Sequence, residues 1–150
     1  MKKILIINGP NLNLLHLRNA KIYGNSSLQK IEHQCQLLAR EINVELTFKQ
    51  TNNEAVIIDL IQNAIDVFDG LIINAAGYTH TSVAIHDALE IFNGVKIELH
   101  ISNIFKREDF RHHSFLSNVV DAVISGLGVD GYQIALLAIP KLIESKKINI

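Results

Sequence analysis

Apolar residues fall along the chain in two alternating patterns. Ile4-Leu5-Ile6-Ile7 is apolar without a break, as a strand buried on both faces of a parallel sheet is. From Ser26 or Ser27, either of which can cap a helix, Leu28, Ile31, Cys35, Leu38 and Ile42 recur every three or four positions. That spacing predicts a helix to about Ile42. Val44, Leu46 and Phe48 alternate with polar residues and predict a half-buried edge strand. Asn52 or Asn53 caps a second helix, with Ile57, Leu60, Ile61, Ala64 and Ile65 on one face. After Gly70, Leu71-Ile72-Ile73 reads as a third buried strand. Thr81 or Ser82 caps a third helix from Val83 to Phe92, closed by Asn93-Gly94. Val95 to Leu99 predicts a fourth strand, residues 100–118 a long polar connection, and Val119 to Ile124 a fifth strand. A last helix runs from Tyr132 to Ile143, and Pro140 is expected to kink or shorten it.

Strand and helix thus alternate through all 150 residues, with no repeat, linker or low-complexity segment, and one domain spanning 1–150 is expected. The pattern predicts an α/β fold of three layers. Its centre is a doubly wound, five-stranded parallel sheet in the flavodoxin-like order 2-1-3-4-5, with helices on both faces. In such a sheet ligands bind beyond the carboxyl ends of the strands.

The segment after the first strand breaks the rhythm. Gly9-Pro10 does not suit a helix interior, and the next helical pattern begins only near Ser27. A long loop at the end of a core strand is functional or disordered. Leu12, Leu14, Leu15 and Leu17 make this one too apolar for disorder. Its first half is expected to pack. Its second half, about residues 17–25, is expected to be a movable flap carrying Arg18 and Tyr23.

Composition narrows the partners. Apolar residues make up 48% and charged residues 19%, an ordinary globular balance. The net charge is −1 and no basic stripe occurs, which gives no support to a nucleic-acid or membrane-surface partner. The single cysteine, Cys35, allows no intrachain disulfide and reads as a core filler. The N-terminal apolar run is too short for a signal peptide or a membrane span, so a cytoplasmic protein is expected.

Chemistry-bearing residues gather after three strands. Asn8, Asn11, Asn13, Arg18 and Tyr23 follow the first; Asn74, Gly77, His80, Thr81 and Ser82 follow the third. His100, Ser102, Asn103, Arg107, Arg111, His112 and His113 follow the fourth. The topology brings these clusters to one edge, where they suit a polar small molecule. Glu98 stands two residues before His100, on the same strand face, where a carboxylate can orient an imidazole. Each residue also has an ordinary role open to it. Asn8 and Asn11 can bond loop backbone, Tyr23 can lie on apolar surface, His100 can be a satisfied strand-end histidine and Glu98 a surface glutamate. Gly126-Leu-Gly-Val-Asp-Gly131 matches a dinucleotide fingerprint, but the chain ends about twenty residues later with no second strand for a ribose-binding acid. These glycines read as a tight strand-to-helix turn. No histidine pair has the i, i+4 spacing of a zinc helix, and no metal is expected.

The blocks themselves form a recognisable set. Gly9-Pro-Asn-Leu-Asn-Leu-Leu15 with Arg18 and Tyr23-Gly24 resembles the opening signature of the type II 3-dehydroquinate dehydratases. Asn74, Tyr78-Thr-His-Thr-Ser82 and Asp87-Ala88 resemble the family's second block, and Glu98 to Asn103 with Arg107 to Ser114 its third. Gly126-Leu-Gly128 with Gly131-Tyr132 resembles its C-terminal turn. The resemblance spans nearly the whole chain. It implies a lyase of the shikimate or quinate pathway that dehydrates 3-dehydroquinate to 3-dehydroshikimate by anti elimination through an enolate. No metal, cofactor or Schiff base is implied, and assembly is into dodecamers built from trimers. It implies Tyr23 as the base at C2, Arg18 as the cation that favours the tyrosinate, and Asn11 with a water as holder of the enolate. His100, oriented by Glu98, is implied to protonate the leaving hydroxyl. Asn74 and the backbone of Ile101 and Ser102 are implied to grip the carboxylate, His80 and Arg111 to bind ring hydroxyls, and Asp87 to reach a neighbouring subunit's site.

The implied roles make physical sense. A proton beside a ketone is acidic only if the enolate is stabilised. A free phenol keeps its proton to about pH 10. A cation about 4 Å from the phenol oxygen, at an effective dielectric of ~20, attracts its anion by ~4 kcal/mol before solvent screening. That attraction exists only with the flap shut, which makes closure part of the reaction. The chain departs from the family at a few places. Asn19-Ala20 stands for an acidic-proline pair, His16 for a common glycine, Ala75-Ala76-Gly77 for a frequent Pro-Gly-Ala, and Phe105 for a frequent histidine. Loss of the proline is expected to loosen the flap. The competing readings are a non-catalytic flavodoxin-like binding module, such as a phospho-receiver or flavin carrier, and an assembly protein. A receiver needs acidic residues where Asn8, Asn11 and Asn74 stand, and Gly9-Pro-Asn is not a hydroxyl-rich phosphate loop.

Overall fold

Five parallel strands form one sheet in the computed structural model, which describes residues 1–149. They are β1 (Lys2–Asn8), β2 (Val44–Gln50), β3 (Gly70–Asn74), β4 (Val95–His100) and β5 (Ala122–Ser125). Their order across the sheet is β2-β1-β3-β4-β5, the expected doubly wound arrangement. The helices are α1 (Ala20–Tyr23, a single turn), α2 (Leu28–Glu41), α3 (Glu54–Ala64), α4 (Val83–Ile91) and α5 (Gly131–Ile148).

Side chains along β1 alternate between the two faces. Ile4 and Ile6 pack with Ile31, Cys35, Leu136 and Ile139 beneath α2 and α5. Leu5 and Ile7 pack with Ile57, Ile61, Ile85 and Leu89 beneath α3 and α4. Burial on both faces is why Ile4 to Ile7 is apolar without a break. The capping choices are also settled. Ser27 accepts a hydrogen bond from Lys30 N, Asn53 from Ala55 N and Val56 N, and Ser82 from Ile85 N. Each satisfies an amide that the first helical turn leaves without a partner.

The structure departs from the sequence pattern in four places. β5 begins at Ala122 rather than Val119, because Ser117–Val119 forms a 3-10 turn whose Ser117 hydroxyl bonds Glu98. Asp121 then closes the gap, its carboxylate accepting from Lys96 N at 2.7 Å. α5 continues through Pro140 to Ile148, held by buried Leu136, Ile139 and Ile143 on both sides of the proline. Core packing there outweighs the roughly 3 kcal/mol that an internal proline costs. The loop after β1 is not free of helix: Leu12–Leu17 is a 3-10 segment and α1 follows it. Within it Leu12 and Leu15 are buried, but Leu14 and Leu17 face solvent. The glycines after β5 do form a tight turn, with Gly126 at φ 93° and Gly128 at φ 66°. The Gly128 amide donates to Ile101 O at 3.0 Å.

Candidate active site

The sheet register aligns the strand ends that carry the polar residues. Asn8 at the end of β1 pairs with Asn74 at the end of β3, and His100 at the end of β4 pairs with Ser125. Gly9 lets the loops after β1 and β3 meet. Its amide donates to Asn74 O at 2.8 Å, and a Cβ on it would lie 2.5 Å from Ala75 O.

The strap over this edge is built locally. Asn19, extended at φ −56° and ψ 111°, caps α1 by accepting from Lys21 N at 3.0 Å. Asn19 O accepts from Ile22 N and Tyr23 N, both at 3.0 Å, and Gly24 at φ 74° ends the turn. One turn of helix therefore carries the Tyr23 side chain from the outer strap inward, where only 8% of the residue stays exposed. Arg18, on the same strap, donates from Nη2 to Tyr23 Oη at 2.6 Å and lies 4.0 Å above the ring centroid. A second guanidinium reaches the same oxygen from the connection after β4: Arg107 Nη1 donates to Tyr23 Oη at 2.7 Å. The same nitrogen lies 3.3 Å from Ser102 Oγ. Two cationic donors thus converge on one phenol oxygen.

Beneath the strap, His100 Nε2 lies 2.5 Å from Glu98 Oε2, with both side chains almost wholly buried. Burial pulls the Glu98 carboxyl upward, but the bond to and charge of His100, with Ser117 and Ser114, together outweigh it and hold it below the usual carboxylate range. Ser117 Oγ donates to Glu98 Oε1 at 2.7 Å and Ser114 Oγ at 3.1 Å. The ionised carboxylate fixes the proton of Nε2 toward itself, so the other ring nitrogen of His100 is free for the site. His80 stacks on His100 with ring centroids 6.4 Å apart. Desolvation lowers the His80 pKa, with His100 and Arg111 adding to the effect against the bond to His113 O. Neutral His80 donates from Nδ1 to His113 O at 2.8 Å and keeps an acceptor at Nε2.

These groups enclose a cavity of about 40 Å³, lined by Arg18, Tyr23, Asn74, His80, His100, Ile101, Ser102, Arg107 and Arg111, among others. Three guanidiniums and no exposed carboxylate line it, so it suits an anion. Glu98 stands behind His100 rather than in the wall. Two residues singled out from the sequence are not in the wall. Asn11 is exposed at φ 69°, and its amide donates to Asn52 Oδ1 at 3.0 Å. Asp87 is exposed on α4 with its carboxylate 2.9 Å from His86 Nδ1. Arg107 is the functional residue that sequence reasoning left unassigned. Its sequence signals are its place in the polar cluster after the fourth strand and in the third of the resembling blocks, neither of which shows that it meets Tyr23, 84 positions away. Among the described residues, the one group of three potential metal ligands is His86, Asp87 and Glu90, on α4 and outside the cavity.

A phenol held by two cations beside a carboxylate-backed imidazole is an acid–base pair in an electropositive cleft. It can take a proton from carbon and deliver one to a leaving oxygen. Residues 2–140 match the family described as Dehydroquinase class II. A 3-dehydroquinate dehydratase of Bartonella tribocorum is 52% identical over 145 residues, covering 96% of this chain and 97% of the relative. One from Tolumonas auensis is 50% identical over 147 residues, covering 98% and 97%. The crystal structure of the type II dehydroquinase from Butyrivibrio crossotus superposes with a TM-score of 0.90 at 42% identity, covering 93% of this chain and 97% of that one.

Proposed function

The chain belongs to the class II dehydroquinase family, and from that membership we infer how its residues dehydrate 3-dehydroquinate to 3-dehydroshikimate in the shikimate pathway. The tyrosinate of Tyr23 removes a proton from C2, beside the C3 ketone. The electron pair moves onto the ketone oxygen as an enolate. The enolate then reforms the ketone, the C1–C2 double bond forms, and the C1 hydroxyl leaves as water with a proton from Nδ1 of His100, which enters this step with both ring nitrogens protonated and Glu98 facing Nε2; solvent then takes the proton from Tyr23 and returns one to His100. Atoms balance without a cofactor: one C–H and one C–O bond break, and one molecule of water departs. The observation that carries this reading is the pair of guanidinium nitrogens at 2.6 and 2.7 Å from the Tyr23 oxygen. Two cationic donors on one phenol oxygen are the setting in which a phenol can serve as a base.

The other roles follow from position. Asn74 and the backbone of Ile101 and Ser102 hold the substrate carboxylate. His80, with its free Nε2 acceptor, and Arg111 bind ring hydroxyls, and Glu98 keeps the His100 ring oriented. The strap, about residues 17–25 of the one domain, opens to admit substrate and shuts to bring Arg18 and Tyr23 onto it. Asn11 joins the site only when substrate and an ordered water fill the space beside it, where it holds the enolate. Asp87 is exposed and is not part of the wall of its own cavity, which supports a contribution to a neighbouring subunit's site in a dodecamer of trimers. The enzyme works in the cytoplasm, where a charged metabolite stays with the enzymes that use it. The test is direct. Purified protein mixed with 3-dehydroquinate and EDTA produces the ultraviolet absorbance of the conjugated enone; absence of that rise refutes the assignment.

A further inference from the structure

We propose that Tyr132 and Asn8, both inside the core, are positioning residues that fix which way the Asn74 amide points and so make that corner of the cavity a hydrogen-bond donor, selective for a carboxylate. This deepens the reading above and rests on its assignment of Asn74 to the substrate carboxylate.

The polarity is set by a relay that starts at a backbone carbonyl. Asn8 has no exposed surface, and its Nδ2 donates to Lys49 O, on the neighbouring strand β2, at 3.1 Å. Its remaining amide atom, Oδ1, can only accept. Tyr132, fully buried on α5, donates its hydroxyl to that Oδ1 at 2.6 Å. A phenol has one proton, so toward any other neighbour Tyr132 can only accept. That neighbour is Asn74, whose Nδ2 lies 3.0 Å from Tyr132 Oη. Asn74 Oδ1 is then turned to the Ala76 amide, 3.2 Å away. The second N–H of Asn74 is left for the cavity that this residue lines.

Turning the Asn74 amide over is penalised at both ends. Oδ1 would face a phenol oxygen with no proton between them, and Nδ2 would face the Ala76 N–H. The first is a buried contact, where an unmade hydrogen bond costs most, and the second is half-buried. Burial also pushes the Tyr132 phenol well above its ordinary range, so its proton stays in the relay at every working pH. A buried tyrosine and a buried asparagine, neither in contact with the cavity, thus give the site its sign at this corner.

Steady-state kinetics with 3-dehydroquinate across the neutral pH range, on Tyr132→Phe, Asn8→Leu, their double variant and Asn74→Ala, test this. Tyr132→Phe is expected to raise KM about tenfold, the loss of one oriented bond to a charged group, with kcat within about twofold and the pH–rate profile unmoved. Asn8→Leu, one step further back, raises KM in the same direction. The double variant raises it no more than Tyr132→Phe alone, as members of one relay do. Folded Tyr132→Phe with an unchanged KM overturns the proposal, as does a fall in kcat with KM kept. If one single variant fails to fold, the other decides by the same criterion. Asn74→Ala separates the two levels. If it leaves KM unchanged, the assignment of Asn74 to the carboxylate fails. If it raises KM while Tyr132→Phe does not, that assignment stands and the relay falls.

Discussion

Arg107 Nη1 sits 2.7 Å from Tyr23 Oη although the two residues are 84 positions apart. The bond ties the strap after β1 to the connection after β4, so the phenol meets its second cation only when the strap is down. Closure and activation of the base are then one event. Arg107→Ala is expected to lower kcat about 100-fold, the scale of losing one preorganised donor to a developing anion. Arg18→Ala behaves alike. A pH–rate series checks both, and an unchanged kcat in Arg107→Ala removes this residue from the mechanism.

The strap lacks a proline, and the structure shows what holds it instead. The Asn19 side chain caps the single turn of α1. Losing such a cap costs about 0.5–2 kcal/mol, so Asn19→Ala is expected to lower kcat several-fold by depopulating the closed strap. Ala20→Pro should restore it. Position 20 is the first helical residue, where proline fits, and Asn19 already has the extended backbone that precedes one. Among the described residues the Ala20 N–H has no partner to lose. Turnover of the two single variants and the double decides the point; a double variant no faster than Asn19→Ala contradicts it.

Glu98 ties acid stability to the site. Its folded carboxyl is held below the ordinary value of 4.5. The folded state is therefore favoured by its ionisation above about pH 4.5, and that advantage is lost as pH falls through the folded value. Melting curves should show the Tm of the wild type falling more steeply below about pH 4.5 than that of Glu98→Gln, which has no such carboxyl to titrate. Parallel curves contradict the assignment.

Ala76 carries strain. Its φ is 52°, in the left-handed region, where an alanine is disfavoured by about 1–2 kcal/mol and a glycine is not. Ala76→Gly regains this but widens the unfolded ensemble, leaving a net gain of about 0.5–1 kcal/mol and a Tm rise of roughly 2–4 °C. Differential scanning calorimetry reads it directly; a lower Tm contradicts the strain.

Much of the fold was legible because its signals are local. The strands β1 and β3 are buried on both faces and so are unbroken apolar runs, and the helices announce themselves by Ser27, Asn53 and Ser82. Pro140 misled because a local rule met a helix pinned by Ile139 and Ile143 from across the core. Val119 misled because its segment serves Glu98 rather than the sheet. Leu14 read as packed although it faces solvent, since hydrophobicity alone does not give direction. The site was legible as three clusters at one edge. The partnership of Arg107 with Tyr23, and that of Asn8 and Tyr132 with Asn74, depends on side chains far apart in sequence that only the assembled sheet brings together.

In the mechanism proposed here the reaction turns on the hydroxyl of residue 23. Tyr23→Phe keeps the ring, the packing and the lining of the cavity, and removes only the oxygen that both arginines grip. Turnover of 3-dehydroquinate by this variant, measured together with substrate affinity by titration calorimetry, should fall by at least about 1,000-fold in kcat while Kd stays within several-fold of wild type. A variant that still turns over at a rate comparable to wild type would show that another group takes the proton.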